Sequence, residues 1–304
     1  MTQAWDGRQG AIPPESWAKC NPGRFTPYIP PGRYAISSLN AKPDQPQGTD
    51  LARSLSQAIR LCDGAGFEAA LAGYLMDALA ADNLVILAYP TAGPPRALFE
   101  VDRAGAFARL ESGYLAGAYL LDPIYDLVQT GAPAGVYRLS DVAPDAFQRS
   151  RYFQEYYRQT TILDELTYLA RPRHGLTLTL CLGRDATSGS VFPARSLTMG
   201  RSIVPIVLAL AERHWAGLKA ETASAEDLPG RVAAALKARH GIGLSPRQAE
   251  VALLILRGHS TASIALRLQL SAQTVKVFRR QIHKRCGIST QAELFALMLP
   301  LMQG

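Results

Sequence analysis

Four basic residues near the C-terminus recur at a spacing that puts them on one side of a helix. Four apolar residues recur on a second side of the same helix. The basic residues, at i, i+3, i+4 and i+7, are Lys276, Arg279, Arg280 and His283. The apolar residues are Val275, Phe278, Ile282 and Cys286. Because residues three and four apart share a helix face, the spacing predicts a helix with two functions. Its apolar side packs on a core, and its basic side presents cations to a polyanion.

The net positive charge of the chain is concentrated around this helix. The 304 residues carry a formal charge of +7. Residues 244–304 contain eight basic and two acidic residues, which gives +6 and leaves +1 for residues 1–243. A basic module beside a nearly neutral one is typical of a nucleic-acid binder joined to another domain. A solvated basic face is the alternative interpretation of the same charge.

The elements that position the basic face have the pattern of a helix-turn-helix. Ser245 and Pro246 are a typical N-cap and first residue of one helix. A second helix is predicted over 261–268, and Ser271 caps a third, over 271–285. Two short helices joined by a tight turn, the second with a cationic face, fit DNA because the major groove admits one helix.

Residues 244–297 also resemble a known family. The stretch from LSPRQAEV to AELFAL is similar to the LuxR-type (GerE-type) DNA-binding domain. Phe278 stands where that family often has histidine and Cys286 where it often has leucine, and both suit the apolar stripe. The resemblance implies a four-helix domain that binds double-stranded DNA. The matching positions are Leu244, Glu250, Gly258, Ile264, Ala265, Leu268, Ser271, Thr274, Val275, Lys276, Gly287, Ile288, Ala292, Glu293 and Leu294.

The resemblance also implies which side chains contact DNA. Lys276, Val277 and Arg280 match family positions that reach base edges, where lysine or arginine donates to guanine and valine contacts a thymine methyl. A second set is expected to hold phosphates and set the register, or to cap the recognition helix. This second set is Ser260, Thr261, Ser271, Thr274 and Arg279. For Arg279 and Lys284, a solvated surface charge is the alternative.

The last predicted helix is apolar on all sides, so two opposite sides of it must be buried. One side can pack on the helix-turn-helix. The other side consists of Leu294, Leu297, Met298 and Leu301. We expect these residues to contact a second copy of the chain, as in the family. Burial against the N-terminal domain is the alternative.

Composition divides the chain into four parts. Residues 1–48 hold eight of the twenty prolines and are predicted to form an extended arm. Residues 49–220 have the pattern of a folded sensor domain. A linker is predicted over 221–243, and the helix-turn-helix domain covers 244–304.

The sensor segment is predicted to be an α+β domain. Strands are predicted over 83–89, 96–102, 135–139, 162–170 and 176–183. Helices are predicted before the first strand and over 105–130, 143–159 and 193–220. This order favours an antiparallel sheet with helices on both faces, a GAF- or PAS-like α-β-α sandwich, followed by an all-α four-helix domain.

Tyrosine is unusually dense within the sensor segment. Eight of the twelve tyrosines lie between Tyr114 and Tyr168. Aromatic walls with one or two carboxylates suit a small ligand that carries an amine or an amide. The interleaved acids are Asp122, Asp126, Asp164 and Glu165. A tyrosine-rich core and surface is the alternative.

Residues 110–141 distantly resemble the autoinducer-binding domain of quorum-sensing regulators. The match rests on Tyr114, Tyr119, Asp122, Pro123 and the aromatic Tyr137. Leu110 and Tyr137 stand where that family tends to have tryptophan. These differences favour a related sensor domain over a domain that binds a lactone. The predicted ligand pocket is lined by Tyr114, Tyr119, Asp122, Tyr125 and Tyr137.

Several protein classes lack the residues they require. The chain contains no Walker-type phosphate loop, and a proline-rich arm stands where a phosphorylated receiver begins. No Ser/His/Asp set, catalytic Cys–His pair or metal-ligand spacing supports an enzyme, a cofactor or a metal. The sequence has no apolar run of about 18 residues and no apolar signal segment, and its four cysteines are scattered. We therefore expect a cytoplasmic protein without a membrane partner.

Together these features predict a ligand-responsive transcriptional regulator. It is expected to bind a palindromic operator in double-stranded DNA as a homodimer, through the helix 271–285. Expected partners besides DNA are a small-molecule effector and RNA polymerase. The alternatives are an acyl-homoserine-lactone receptor and a regulator whose N-terminal domain binds a protein instead of a small molecule.

Overall fold

The computed structural model describes residues 48–91, 93–218 and 228–302. Residues 1–47 of the predicted arm and the first part of the predicted linker lie outside this range. Two helices precede the sheet, α1 (Gly48–Leu61) and α2 (Phe67–Leu79).

The sheet has five strands. They are β1 (Asn83–Pro90), β2 (Arg96–Val101), β3 (Gly135–Arg138), β4 (Asp164–Arg173) and β5 (Leu176–Arg184). Their order is β2-β1-β5-β4-β3, and every neighbouring pair is antiparallel. The predicted mixed fold with an antiparallel sheet is confirmed, and each predicted strand lies within a few residues of an observed one.

The two faces of the sheet differ in chemistry, and β5 shows why. Its sequence, LTLTLCLGR, alternates leucine with smaller or polar residues. Because successive side chains of a strand point to opposite faces, all four leucines face one side and the remaining residues the other. We call the leucine side the core face and the side that carries Thr179, Cys181 and Gly183 the cavity face.

Regular helices cover the core face. These are α1, α2, α6 (Ala194–Ser202) and α7 (Val204–His214), which share one apolar cluster with the leucines of β5. The prediction of one helix over 193–220 is wrong, because the chain bends by 54° between α6 and α7. Pro205, in the first turn of α7, has no N–H to continue the helix from α6. In the described residues no single helix could span a membrane, and only this bent pair meets the length and hydropathy criteria jointly.

Short helical turns cover the cavity face. In chain order they are a π-helical turn (Leu110–Leu115), a 3₁₀ turn (Ala118–Leu121), α3 (Pro123–Gln129), α4 (Leu139–Val142), a 3₁₀ turn (Phe147–Arg149), α5 (Arg151–Glu155) and a 3₁₀ turn (Tyr157–Thr160). The predicted long helices over 105–130 and 143–159 are therefore wrong. Pro123 interrupts the first, and Asp122 caps α3 instead by accepting from the Ile124 N–H at 2.8 Å. Within the second of these segments, Ser150 caps α5, so a new helix begins there.

The C-terminal part is helical, as predicted. Helix α8 (Leu228–His240) lies within the predicted linker, and the four helices that follow are α9 (Pro246–Arg257), α10 (Thr261–Arg267), α11 (Ala272–Cys286) and α12 (Gln291–Met302). Ser245 and Gln248 form a capping box at the start of α9, and Ser271 caps α11. One apolar cluster contains side chains of these helices and of the turns on the cavity face.

Candidate DNA-binding interface and ligand cavity

Helix α11 is fixed by its apolar stripe. Val275 and Ile282 have no exposed surface, and Phe278 and Cys286 pack against the same cluster. The Gln248 side-chain amide donates to Oε1 of Gln281 at 2.8 Å, which ties α11 to α9. The predicted apolar side of the helix therefore does hold it on the domain.

The opposite side of α11 is open to solvent. Lys276 and Arg280 are exposed, and Val277 exposes 37 % of its surface. These are the three residues expected to reach base edges, and the structure brings them together. Arg279 is only half-buried, and Ser271 uses its hydroxyl to accept the Thr274 N–H at 2.9 Å.

Ser260 and Thr261 lie elsewhere, where α10 meets the turns on the cavity face. Both are half-buried, and the Ser260 N–H donates to Oδ1 of Asp145 at 2.9 Å. Both residues lie at the start of α10, with Ser260 as its N-cap.

A buried carboxylate joins the sheet domain to the helix-turn-helix. Oδ1 of Asp126 on α3 lies 2.6 Å from Nη1 of Arg257, and its Oδ2 lies 2.6 Å from Nη2 of Arg267. Asp126 is 7 % exposed. Burial alone raises the pKa of Asp126, but the two guanidinium groups outweigh it, so the pKa is lowered and the carboxylate stays charged. We call this group of three residues the Asp126 clamp.

Gly258 brings the two parts into backbone contact beside the clamp. It ends α9 with a positive φ of 95°, and its carbonyl accepts the Ala146 N–H at 3.0 Å. A Cβ atom at this position would lie 3.0 Å from the Phe147 Cα atom and 3.0 Å from the Ser150 Cβ atom. Only glycine combines this conformation with so close an approach.

Helix α12 is buried within the chain. Leu294, Met298 and Leu301 expose 0 %, 0 % and 6 % of their surfaces, and Leu297 is half-buried. Their helix packs on α5, α8 and α9. The contact with α5 corresponds to the alternative stated above, burial against the N-terminal domain, whereas α8 and α9 belong to the C-terminal part of the chain.

A cavity of about 510 Å³, part of it open to solvent, lies between the cavity face and the turns. Its lining includes two of the five predicted pocket residues, Tyr114 and Asp122. The lining residues are Asn83, Val85, Leu87, Phe107, Leu110, Tyr114, Asp122, Tyr152, Tyr156, Tyr157, Thr160, Ile162, Glu165, Cys181 and Gly183. Tyr119 and Tyr125 pack on each other behind it, with ring centroids 5.0 Å apart. Tyr137 is not among the lining residues, because it lies on the edge strand β3 with its hydroxyl donating to the Pro133 carbonyl.

Asp122 connects the cavity to α3. The Tyr114 hydroxyl donates to Oδ2 of Asp122 at 2.7 Å and lies 2.8 Å from the Tyr89 hydroxyl. The other oxygen of Asp122 caps α3. Burial raises the pKa of Asp122 more than the hydrogen bond from Tyr114 lowers it.

Two neighbouring acids of β4 have different environments. Asp164 accepts two hydrogen bonds from Arg138, at 2.9 and 2.7 Å, and has a structural role. Glu165 lines the cavity and accepts from the Thr167 hydroxyl at 3.0 Å. Burial, together with the charge of Asp122, raises the pKa of Glu165 to about 8. Within the described ranges, no group of three or more His, Cys, Asp or Glu side chains is placed to hold a metal ion.

Comparison with known proteins identifies the family. The sequence model of the bacterial regulatory proteins of the luxR family matches residues 243–298. The chain is 30 % identical over 184 residues to an Aeromonas salmonicida protein named "Putative HTH-type transcriptional regulator in exeN 3'region", covering 59 % of this chain and 93 % of that protein. The chain belongs to the luxR family of bacterial regulatory proteins.

Two solved structures were also compared with this LuxR-family chain. The VqsR LBD domain from Pseudomonas aeruginosa is 26 % identical with a TM-score of 0.47, covering 55 % of this chain and 96 % of that one. Escherichia coli SdiA is 14 % identical with a TM-score of 0.38, covering 83 % and 99 %.

The sequence interpretation of this LuxR-family chain missed part of the cavity lining. Asn83, Cys181 and Gly183 were not singled out, and Glu165 was noted only as one of several acids. The signal was present in the alternation of β5, which places its polar residues on one face. The strand register that brings them to Asn83 and Glu165 could not be derived from a local pattern.

Proposed function

We propose that this chain is a ligand-responsive transcriptional regulator that binds a palindromic operator as a dimer through α11. Binding of a small molecule in the cavity changes how the sheet domain holds the helix-turn-helix. The observation that carries the proposal is the position of α3 between the two sites. One end of α3 is capped by the cavity residue Asp122, and one turn later the same helix carries Asp126.

The exposed side of α11 supports the DNA-binding part of the proposal. Lys276 and Arg280 are exposed, and each can donate to a guanine in the major groove. Between them, Val277 presents an apolar surface to the same groove. Two buried residues, Val275 and Ile282, hold α11 on the domain, so the exposed side is presented on a rigid support.

The route from cavity to DNA-binding module is short. A ligand that changes the hydrogen bonds of Asp122 changes the cap of α3, because one oxygen of Asp122 makes that cap. Displacement of α3 moves Asp126, whose two oxygens hold Arg257 and Arg267. A ligand shifts such an equilibrium only by its different affinity for the two arrangements.

The dimer is proposed from the apolar side of α12 and from the two-fold symmetry of palindromic operators. In the described conformation α5 and α8 cover most of that side. We propose that dimerisation through Leu294, Leu297, Met298 and Leu301 accompanies opening of this contact. Sedimentation of the full chain with and without operator DNA tests it, and a monomer in both samples at micromolar concentration contradicts it.

DNA binding is tested by fluorescence anisotropy at about 150 mM salt with an operator selected from random DNA by the full chain. We expect Lys276→Ala with Arg280→Ala to reduce operator binding to the level of unrelated DNA, since each base contact contributes about 1–3 kcal/mol of discrimination. Lys284→Ala, on the same helix but outside the base-reading set, is the matched control and should retain specificity. Wild-type specificity in the double variant contradicts the proposal.

A further inference from the structure

Three residues of the cavity form one row across the sheet. Gly183 of β5 lies directly opposite Asn83 of β1 and also directly opposite Glu165 of β4. Directly opposed residues of antiparallel strands point to the same face, so all three belong to the cavity face. Adjacent strands are about 4.8 Å apart, which separates the backbones of Asn83 and Glu165 by about 10 Å. We call Asn83, Gly183 and Glu165 the acceptor row.

Gly183 allows the Asn83 side chain to lean across β5. A Cβ atom at Gly183 would overlap Oδ1 of Asn83. The Asn83 amide donates to Oδ2 of Asp185 at 2.8 Å, which fixes the orientation of the side chain and leaves its carbonyl on the glycine side. Any larger residue at 183 would displace this carbonyl.

The side-chain carbonyl of Asn83 accepts no hydrogen bond from the described residues. Asn83 is 1 % exposed, and its Oδ1 atom is buried without a partner. Buried acceptors in folded proteins are nearly always paired, so an unpaired one beside a cavity indicates a donor on the ligand.

The ionisable side chains that line the cavity are acids. Asp122 and Glu165 both line the cavity, and no lysine, arginine or histidine is among the lining residues. Three tyrosine rings, those of Tyr152, Tyr156 and Tyr157, face the same space. Carboxylates and aromatic faces attract a cation and disfavour an anion.

We propose that the acceptor row binds a protonated primary amine of a small ligand, which donates hydrogen bonds to the Asn83 carbonyl and to the Glu165 carboxylate. The tyrosine rings contact the carbon skeleton of the ligand and its charge. This inference rests on the proposed function and specifies the chemical class of the effector. The amine supplies the missing donor of the Asn83 side-chain carbonyl and an ionic partner for Glu165 in a single contact.

Binding of the amine is accompanied by the release of a proton from Glu165. The titratable groups around Glu165 are Asp122, Asp164, Cys181, Tyr152, Tyr156 and Tyr157. Burial and the charge of Asp122 raise the pKa of Glu165 to about 8, so it holds its proton at neutral pH. An ammonium group at Glu165 favours the carboxylate, and the proton leaves to solvent. Amine binding at pH 7 therefore releases up to one proton.

The test uses the full chain and three probes of similar size. These are phenethylamine, 2-phenylethanol and 3-phenylpropionate, added at millimolar concentration in thermal-shift and calorimetric titrations. We expect the amine to raise Tm and to bind roughly tenfold more tightly than the other two, as expected for a charge-assisted hydrogen bond. Titration of the amine in buffers with different heats of ionisation should show the proton release.

Two variants distinguish amine binding at the acceptor row from general effects of a charge-removing substitution. Glu165→Gln should weaken amine binding at least about tenfold, abolish the proton release and leave 2-phenylethanol unchanged. Glu111→Gln, the same change at an exposed residue, is the matched control and should keep the wild-type response. Circular dichroism and operator binding verify that both variants fold.

Three results overturn the inference. The first is equal amine binding by wild type and Glu165→Gln. The second is binding of 2-phenylethanol or 3-phenylpropionate without binding of the amine, which leaves the ligand-responsive function intact and refutes only the chemical class. The third is no binding of any probe, in which case the operator-binding experiment still decides the DNA-binding function separately.

Discussion

The two layers that enclose the sheet are built differently. The layer on the core face consists of four regular helices packed on leucines, and its apolar cluster includes fully buried Leu178, Leu180 and Leu182. The layer on the cavity face consists of short turns, contains the cavity and continues into the helix-turn-helix. One sheet therefore separates a layer of regular helices from a layer that contains the cavity. The pleat makes this possible, since adjacent residues of a strand serve opposite layers.

The largest expected effect comes from matched leucines on the two faces. Leu180 on the core face and Leu87 at the cavity expose 0 % and 2 % of their surfaces. Leu180→Ala should lower the free energy of unfolding by about 3–5 kcal/mol, and Leu87→Ala by about 2 kcal/mol, because Leu87 already borders a cavity and loses fewer contacts. Urea unfolding of the full chain measures both. Equal losses would remove the distinction between the layers.

The Asp126 clamp tests whether the cavity-side layer holds the helix-turn-helix. Asp126→Asn keeps the shape but removes the charge between two arginines, and we expect a loss of about 3 kcal/mol at this buried site. Unfolding should then show separate transitions for the two parts of the chain. Asp145→Asn is the control, because Asp145 is exposed and should cost under about 1 kcal/mol. A single wild-type transition in Asp126→Asn would show that the clamp does not couple the parts.

A smaller effect follows from the raised pKa of Glu165, about 8 in the folded chain against 4.5 for the free group. At pH values between these two pKa values, Glu165 is protonated in the folded chain and ionised in the unfolded chain. Stability therefore falls as pH rises through this window and levels off above it, with a loss of about 2 kcal/mol between pH 5.5 and pH 7. Glu165→Gln should flatten this part of the profile in chemical unfolding between pH 5 and 9. An unchanged slope would place the Glu165 pKa in its normal range.

The smallest expected effect concerns an ion pair on the surface of the cavity-side layer. Arg151 and Glu155 are 2.6 Å apart, with side chains 39 % and 45 % exposed. Glu155→Gln should change the free energy of unfolding by less than about 0.5 kcal/mol, since solvent screens exposed pairs. A larger loss in the same unfolding assay would show that this layer depends on its surface charges for stability.

Local patterns predicted the sheet and the helix-turn-helix well. Short apolar runs and turn signals predict strands β1 and β5. Ser245 and Ser271 cap helices at the positions that their sequence context indicates. The basic side of α11 follows from helical spacing, whereas the expectation that Lys276, Val277 and Arg280 contact bases comes from the family resemblance. In each case the information lies within one element.

The cavity-side layer was predicted poorly because its structure depends on distant contacts. The turns between residues 105 and 160 have helical composition, but Pro123 and Pro144 interrupt them and packing on the sheet decides where each turn ends. Tyr137 was placed in the pocket by its resemblance, although its strand lies at the sheet edge. Asn83, Gly183 and Glu165 are neighbours only through strand register, which no local pattern specifies.

The close approach at Gly258 limits how freely the C-terminal module can be exchanged. A chimera that joins this sheet domain to another DNA-binding module needs a glycine at the end of the equivalent helix, because a side chain there would collide with the backbone of Phe147. It also needs arginines at the positions of Arg257 and Arg267 to match Asp126. A module without them would be tethered to the sheet domain but not seated on it, and under the proposed function its DNA binding would no longer respond to what the cavity holds.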